Sequence, residues 1–348
     1  MENEEKKDET VKLPYFGLNR LLPYLKPHRK MIFSMIALII VGGVVDIVLP
    51  LFQQYAINHF IAGKTLDTLT IFILIYVGVL VVQILANTTS AFLCGKLEMT
   101  LDHDLREVSF NHLQTLSFSY FNQNSVGYIQ ARVMSDTGRI GGLLSWGMMD
   151  GIWNSIYIVG AMAVMVVTNW RLALVVLIIV PIVGIVAGFF QGKLVKLHRN
   201  IREINSRITG NFNEGITGAK TTKTLVIEKK MEDTFEETTG EMKAKSVSAA
   251  HYRSLFSTLI EFSASLALAL VLWRGGLISM NGLLTIGTLS VFMSYALNMM
   301  EPIRWVVRCI TDLINIQVNI ERFTRLVETE SDVADSPEVI AKYGDNFE

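Results

Sequence analysis

Apolar residues in this chain come in blocks. Six windows, residues 31–51, 66–93, 146–168, 172–191, 255–273 and 283–300, each hold a mostly apolar run. A run of about 17–25 such residues, rising about 1.5 Å per residue as a helix, crosses a hydrocarbon core about 30 Å thick. The pattern predicts six membrane helices, and two of them continue past their window. After the second, Leu97, Leu101, Leu105, Val108 and Leu116 carry a helical spacing through polar sequence without a proline. After the fourth, Leu194, Leu197, Ile201, Ile204, Ile208 and Phe212 do the same. A helix from 67 to 116 would measure about 75 Å, more than twice the hydrocarbon thickness, so such stems stand well clear of the membrane.

Each stem ends in a short turn, 117–127 in the first case and 215–229 in the second, and a return helix follows. The second turn lies within EGITGAKTTKTLVIE, residues 214–228, and reads as an elbow that receives force from another domain. Residues 1–14 are charged and expected to be disordered. Residues 15–30, YFGLNRLLPYLKPHRK, are apolar on one side and basic on the other, which suits an elbow helix at the membrane surface. The first window contains Asp46 and then Pro50, whose missing N–H permits a kink. A loop follows at 62–64, and the connections at 169–171 and 274–282 are too short for a ligand-binding domain. The last window ends at Met300-Glu301-Pro302 and runs on as an amphipathic helix into an acidic tail. The expected organisation is a membrane domain at 31–328 and a linker at 329–348.

Composition and charge turn this pattern into a topology. The chain is 51% hydrophobic with a formal net charge of −1 and a mean hydropathy of +0.39, which marks an all-α polytopic membrane protein rather than a soluble domain. Of its 31 Lys and Arg, 28 lie in the N-terminal segment, in 94–145, in 192–253 and after Met300; the loops on the other side keep only Lys64, Arg171 and Arg274. The positive-inside rule then puts both termini in the cytoplasm, and the expected location is the plasma (inner) membrane of a bacterium. The charged opening, punctuated by Pro14, Pro23 and Pro27, does not read as a cleavable signal peptide. The positive charge tracks topology, so the lipid bilayer, and not nucleic acid, is the expected partner.

Little in the chain points to bond-making chemistry. Gly218-Ala219-Lys220-Thr221 looks like a piece of a phosphate-binding loop, but the lysine does not follow the second glycine of a GxxxxGK[ST] motif and the context is helical. Asp46 and Glu261 are carboxylates within apolar segments. Each reads equally as a cavity site for a cation or proton and as a carboxylate satisfied by polar neighbours. Gln83, Asn87, Tyr295 and Asn298 are weaker cavity candidates, equally explained by hydrogen bonds between helices. Cys94 and Cys309 have no metal-ligand or redox spacing, His59, His103, His112, His198 and His251 share no such spacing either, and no metal site is expected.

Taken in order, these features resemble the transmembrane domain of an ATP-binding cassette exporter. LQTLSFSYFNQNSVGYIQARVMSDTGRI, residues 113–140, is similar to the family's first intracellular loop, with an aromatic pair followed by Gly127, Arg132 and Asp136. NWRLALVVLIIVP, 169–181, matches the entry to its fourth helix. GAKTTKTLVIE, 218–228, fits its second loop, with Thr222 and Leu225 where an aliphatic and an aromatic residue are usual. Residues 274–304 and IERFTRLVE resemble the connection between its fifth and sixth helices and the helix leading out of the membrane domain.

The resemblance implies six long helices per half-transporter, two coupling helices and a domain-swapped dimer. It assigns Ser117, Phe118, Tyr120, Phe121, Asn122, Asn124 and Gly127 to coupling helix 1, and Gly218, Lys220, Thr222, Lys223, Leu225 and Glu228 to coupling helix 2. These helices would seat in nucleotide-binding domains, the second on the partner subunit's. ATP and Mg²⁺ would be held by that domain of the same polypeptide, which this chain does not include, and the second half-transporter would be identical or different. The complete polypeptide would be an ATP-hydrolysing translocase for a drug, lipid or peptide; catalytic residues are not expected here. An ion-coupled transporter or channel using Asp46 or Glu261 is the alternative. It explains the long stems poorly, and the chain lacks the internal repeat common in such proteins.

Overall fold

The computed structural model describes residues 17–333, so the expected tail at 1–14, the start of the 15–30 helix and most of the linker at 329–348 lie outside the described residues. Among these residues every regular element is helical. We label them α1 (Leu18–Leu25), α2 (Arg29–Ala56), α3 (Leu69–Thr115), α4 (Phe118–Gln123), α5 (Val126–Gln130), α6 (Thr137–Thr217), α7 (Ala219–Leu225), α8 (Glu228–Met280), α9 (Ile286–Asn298) and α10 (Met300–Val327). Wider π turns, Ile57–Ala62 and Ala131–Asp136, follow α2 and precede α6.

Among the described residues, four helical runs are long and apolar enough to cross a membrane: Leu18–Ala62, Leu69–Thr115, Val126–Thr217 and Glu228–Met280. The third carries two of the predicted windows. They are separated at Asn169, whose extended backbone (φ −159°, ψ 97°) breaks the helix. Its side-chain oxygen accepts from the Leu172 N–H at 3.1 Å, capping the helix that follows. The expected connection at 169–171 is therefore a capped kink rather than a loop. The sixth window is divided between α9 and α10 at Met299. Pro302 has no N–H to give the Asn298 carbonyl, so one helical bond is missing where the chain path continues.

The chain forms two compact units. The first comprises the described parts of 1–49, 66–159 and 309–348. In its core Leu97, Leu101 and Leu105, the predicted stripe on the first stem, lie at 0–1% exposure with Met35, Ile39, Ile140, Ile316, Ile320 and Phe323. The α1 helix packs on this core through Leu21, its Tyr24 meets Phe323 edge to face at 5.8 Å, and Arg20 pairs with Glu328 at 2.6 Å. Its apolar face thus turns partly onto protein. Helices α2 and α3 approach closely at Gly42, where an added Cβ would come within 2.4 Å of the Asn87 Oδ1.

The second unit comprises Pro50–Thr65 and Gly160–Arg308. Its membrane part buries Leu172, Val176, Ile260, Val271, Phe292 and Tyr295. The end of α2 is tied to the start of α9: Gln54 donates to Thr288 at 2.8 Å, and Asn58 donates to Thr285 while accepting from the Gly287 N–H, both at 3.0 Å. Beyond the fourth window, Leu194 and Ile204 are buried, whereas Phe212 at the tip of the stem is exposed.

Candidate coupling elbows and membrane carboxylates

The first elbow begins where Leu116 (φ −81°, ψ 148°) turns α3 into extended chain. Ser117 continues extended, and its hydroxyl bonds Ser119 at 2.8 Å instead of capping α4. The helix stops at Asn124, whose side-chain amide donates back to the Tyr120 carbonyl at 2.8 Å. Ser125 then accepts from the Tyr128 N–H at 3.3 Å and caps α5. Phe118, Phe121, Asn122 and Gly127 are exposed and Tyr120 is half-buried.

Beneath this turn lies a buried ion pair. Arg132 and Asp136, one helical turn apart, meet at 2.8 Å with their side chains only 6% and 3% exposed. The Arg132 guanidinium also lies 4.3 Å from the centre of the Tyr128 ring. Burial alone would lower the Arg132 pKa, but bonding to Tyr128 and Asp136 outweighs it and holds the group above its ordinary value. Burial, reinforced by Tyr128, pushes the Tyr120 phenol up, with Arg132 opposing.

The elbow is also held from the chain's far end. Leu326 of α10 is buried with Leu113 and Leu116, and Tyr120, Ile129 and Val133 pack against them. His112 Nε2 donates to the Thr329 carbonyl at 2.9 Å, and Ser119 donates to the Asp332 carboxylate. A further tie in this unit, His28 to Asp104 at 2.8 Å, involves a histidine that sequence reasoning passed over, since nothing local marks it.

The second elbow begins at Gly218, where the N–H bonds the Glu214 carbonyl at 2.8 Å. A Cβ here would sit 2.8 Å from that same carbonyl, so the close approach favours glycine. Thr222 donates through its hydroxyl to Gly218 O and touches Met231 Sδ, each at 3.1 Å. Helix α7 closes at Val226, held left-handed (φ 53°, ψ 46°), a conformation unfavourable for a β-branched residue. Lys223 reaches Glu228 at 3.7 Å with side chains 78% and 47% exposed. Lys220 and Leu225 are exposed too. Below α7 a groove of about 560 Å³ opens between the end of α6 and the start of α8, lined by Phe212, Ile216, Ile227, Met231 and Phe235 among others.

Of the membrane candidates, Asp46 and Gln83 are brought together. Gln83 donates to one carboxylate oxygen at 2.5 Å and Trp153, which sequence reasoning missed, donates to the other at 2.8 Å. Gln83 lies one turn from Asn87 on α3, and Trp153 stacks on Tyr157 at 5.7 Å. Glu261 is exposed, with Ser257 Oγ at 3.4 Å. Asn87 and Asn298 are exposed, and Tyr295 is fully enclosed.

Comparison with known proteins agrees with this architecture. Residues 31–303 match the family described as the ABC transporter transmembrane region. The uncharacterized ABC transporter ATP-binding protein YknV of Bacillus subtilis is 25% identical over 337 residues, covering 96% of this chain and 56% of that protein. The putative multidrug export ATP-binding/permease protein YgaD of the same organism is 24% identical, with 93% and 57% covered. The ATP-dependent lipid A-core flippase of Shewanella denitrificans is 26% identical, with 82% and 50% covered. The chain spans about half the length of these curated relatives. With the match running through all six apolar windows, this multi-pass membrane chain belongs to the ABC transporter transmembrane region family.

Proposed function

We propose that the chain is the membrane-spanning part of an ATP-driven exporter that moves a hydrophobic or amphipathic substrate, a drug, lipid or peptide, outward by alternating access. The observation that carries this reading is the pair of small helices, α4 and α7, at the ends of long helical stems. A rigid helix of 47 residues such as α3 carries a displacement over about 70 Å, which a simple membrane hairpin does not require. The relatives described as ATP-binding proteins, a multidrug exporter and a lipid flippase support the same reading.

In this account ATP and Mg²⁺ act in a nucleotide-binding domain of the same polypeptide. Its closure, together with that of a second half-transporter, moves α4 and α7 and reopens the cavity on the other side. The stems and both termini are cytoplasmic, in the plasma (inner) membrane of a bacterium. The two neutral donors on Asp46 support a packing role for that carboxylate, so ion coupling through it is not needed.

A cysteine at Leu225 (Leu225→Cys) in the complete transporter tests the docking. Crosslinking to a nucleotide-binding domain, with a yield that changes when ATP and Mg²⁺ are added, is the expected result. A free thiol at position 225 in every nucleotide state would rule the docking out.

A further inference from the structure

The two stems leave the apolar windows with opposite charge. Residues 94–108 on α3 carry Lys96 and Arg106 against Glu98, Asp102, Asp104 and Glu107, and Arg106 is paired with Asp102 at 2.8 Å. Residues 192–202 on α6 carry Lys193, Lys196, Arg199 and Arg202, and 243–253 on α8 carry Lys243, Lys245 and Arg253, with no carboxylate in either stretch. The positive-inside rule applies equally to both stems, so it does not account for this difference.

The local geometry resembles a membrane boundary. Phe190 lies 5.9 Å from Phe256 and 6.4 Å from Tyr252, joining α6 to α8 through an aromatic layer at the end of the apolar windows. Tyr and Trp favour this level because their rings are apolar and their polar edges reach water. One turn further out, Lys193 Nζ sits 5.3 Å from the centre of the Tyr252 ring. Arg253 donates to His198 Nε2 at 3.3 Å. Lys193, Lys196 and Arg253 are exposed. All three fall within about 8 Å of the ends of the apolar windows at about 1.5 Å per residue, the depth of the headgroup layer.

We propose that Lys193, Lys196 and Arg253 form a binding site for the phosphate of anionic phospholipids in the leaflet from which the stems emerge. The occupant is a lipid rather than a free anion, because Lys193 lies over an aromatic layer that acyl chains can cover. Lysine and arginine stems at this level can lie along apolar surface while their charged ends reach the headgroup plane. The site lies on α6 and α8 and would hold that stem pair at the headgroup level. It requires neither ATP nor an exported substrate, and its failure would leave the exporter reading intact.

The full chain in neutral detergent, titrated with dioleoylphosphatidylglycerol or dioleoylphosphatidylcholine and read by native mass spectrometry, tests the proposal. The unaltered chain should retain phosphatidylglycerol about tenfold more strongly than phosphatidylcholine. The triple variant Lys193→Gln, Lys196→Gln, Arg253→Gln should lose that preference with unchanged helical circular dichroism. The double variant Lys193→Arg, Lys196→Arg should keep it. A control with the same loss of charge at the second elbow, Lys220→Gln, Lys223→Gln, Lys230→Gln, should also keep it. Absence of a preference in the unaltered chain, its persistence in the triple variant, equal loss in the control, or displacement of the lipid by inorganic phosphate would each overturn the site.

Discussion

The two elbows are built from the same parts, a long stem, a helix of six or seven residues and a return helix, but they differ in what covers them. Around α4 the chain supplies its own cover: Leu326 beneath it, Asp332 on Ser119, the Thr329 carbonyl on His112 and an enclosed Arg132–Asp136 pair. Around α7 the polar contacts are local, the ion pair is exposed, Val226 is strained and an apolar groove lies open. One elbow is anchored to the end of α10 and the residues just after it, while the other leaves its surface exposed. In the proposed exporter, transmission through the first would have a covalent route along α10, whereas transmission through the second would depend on the domain that docks there.

The largest expected effect that probes this contrast comes from the buried pair. Asp136→Ala strands a guanidinium in the interior and should cost about 3–5 kcal/mol, seen as a lowered midpoint of thermal unfolding in detergent. A midpoint equal to that of the parent chain would mean that the first elbow is not held from below. Leu326→Ala removes the apolar anchor from α10 and should cost about 2–4 kcal/mol. Faster hydrogen exchange confined to 113–133 is the signature to look for, and unchanged exchange there would detach the elbow from α10.

Effects at the second elbow are smaller and one has the opposite sign. Val226→Gly relieves a left-handed β-branched residue and, net of glycine's greater backbone entropy, should stabilise the turn by about 0.5–1 kcal/mol. Slower exchange at 219–228 is the expected reading; faster exchange would show that Val226 contributes packing that outweighs its strain. Lys223→Glu breaks only an exposed pair and should leave stability within about 0.5 kcal/mol. In the complete transporter it should nonetheless uncouple ATP hydrolysis from transport, and an unchanged ratio of the two would remove Lys223 from the mechanism.

Much of this architecture was legible in the sequence because it follows from local periodicity. The stripe of Leu97, Leu101 and Leu105 marked the buried face of the first stem, whereas the second turn, expected at 215–229, begins only at Gly218 because the stem runs to Thr217. Pro302 explains the break at Met299, a position where the hydrophobic window alone predicted unbroken helix. The anchoring of the first elbow was not legible, because its partners lie more than two hundred residues apart in the chain. Trp153 was missed as a partner of Asp46 for the same reason, being 107 positions away in an unremarkable apolar run. The left-handed turn at Val226 runs against residue preference, and only the backbone reveals it. The role of α1 was read in part: its basic and apolar faces suited a membrane surface, but Tyr24 and Arg20 also find partners on α10 and just beyond it.

The contrast between a self-anchored and an open elbow is tested most directly by hydrogen exchange at 118–124 and 219–228, measured on the chain alone and on the complete transporter with its nucleotide-binding domain. The account predicts that 219–228 exchanges faster in the isolated chain and slows about tenfold or more on docking, while 118–124 starts protected and changes less. Equal initial protection, or a larger gain at 118–124 than at 219–228, would contradict it.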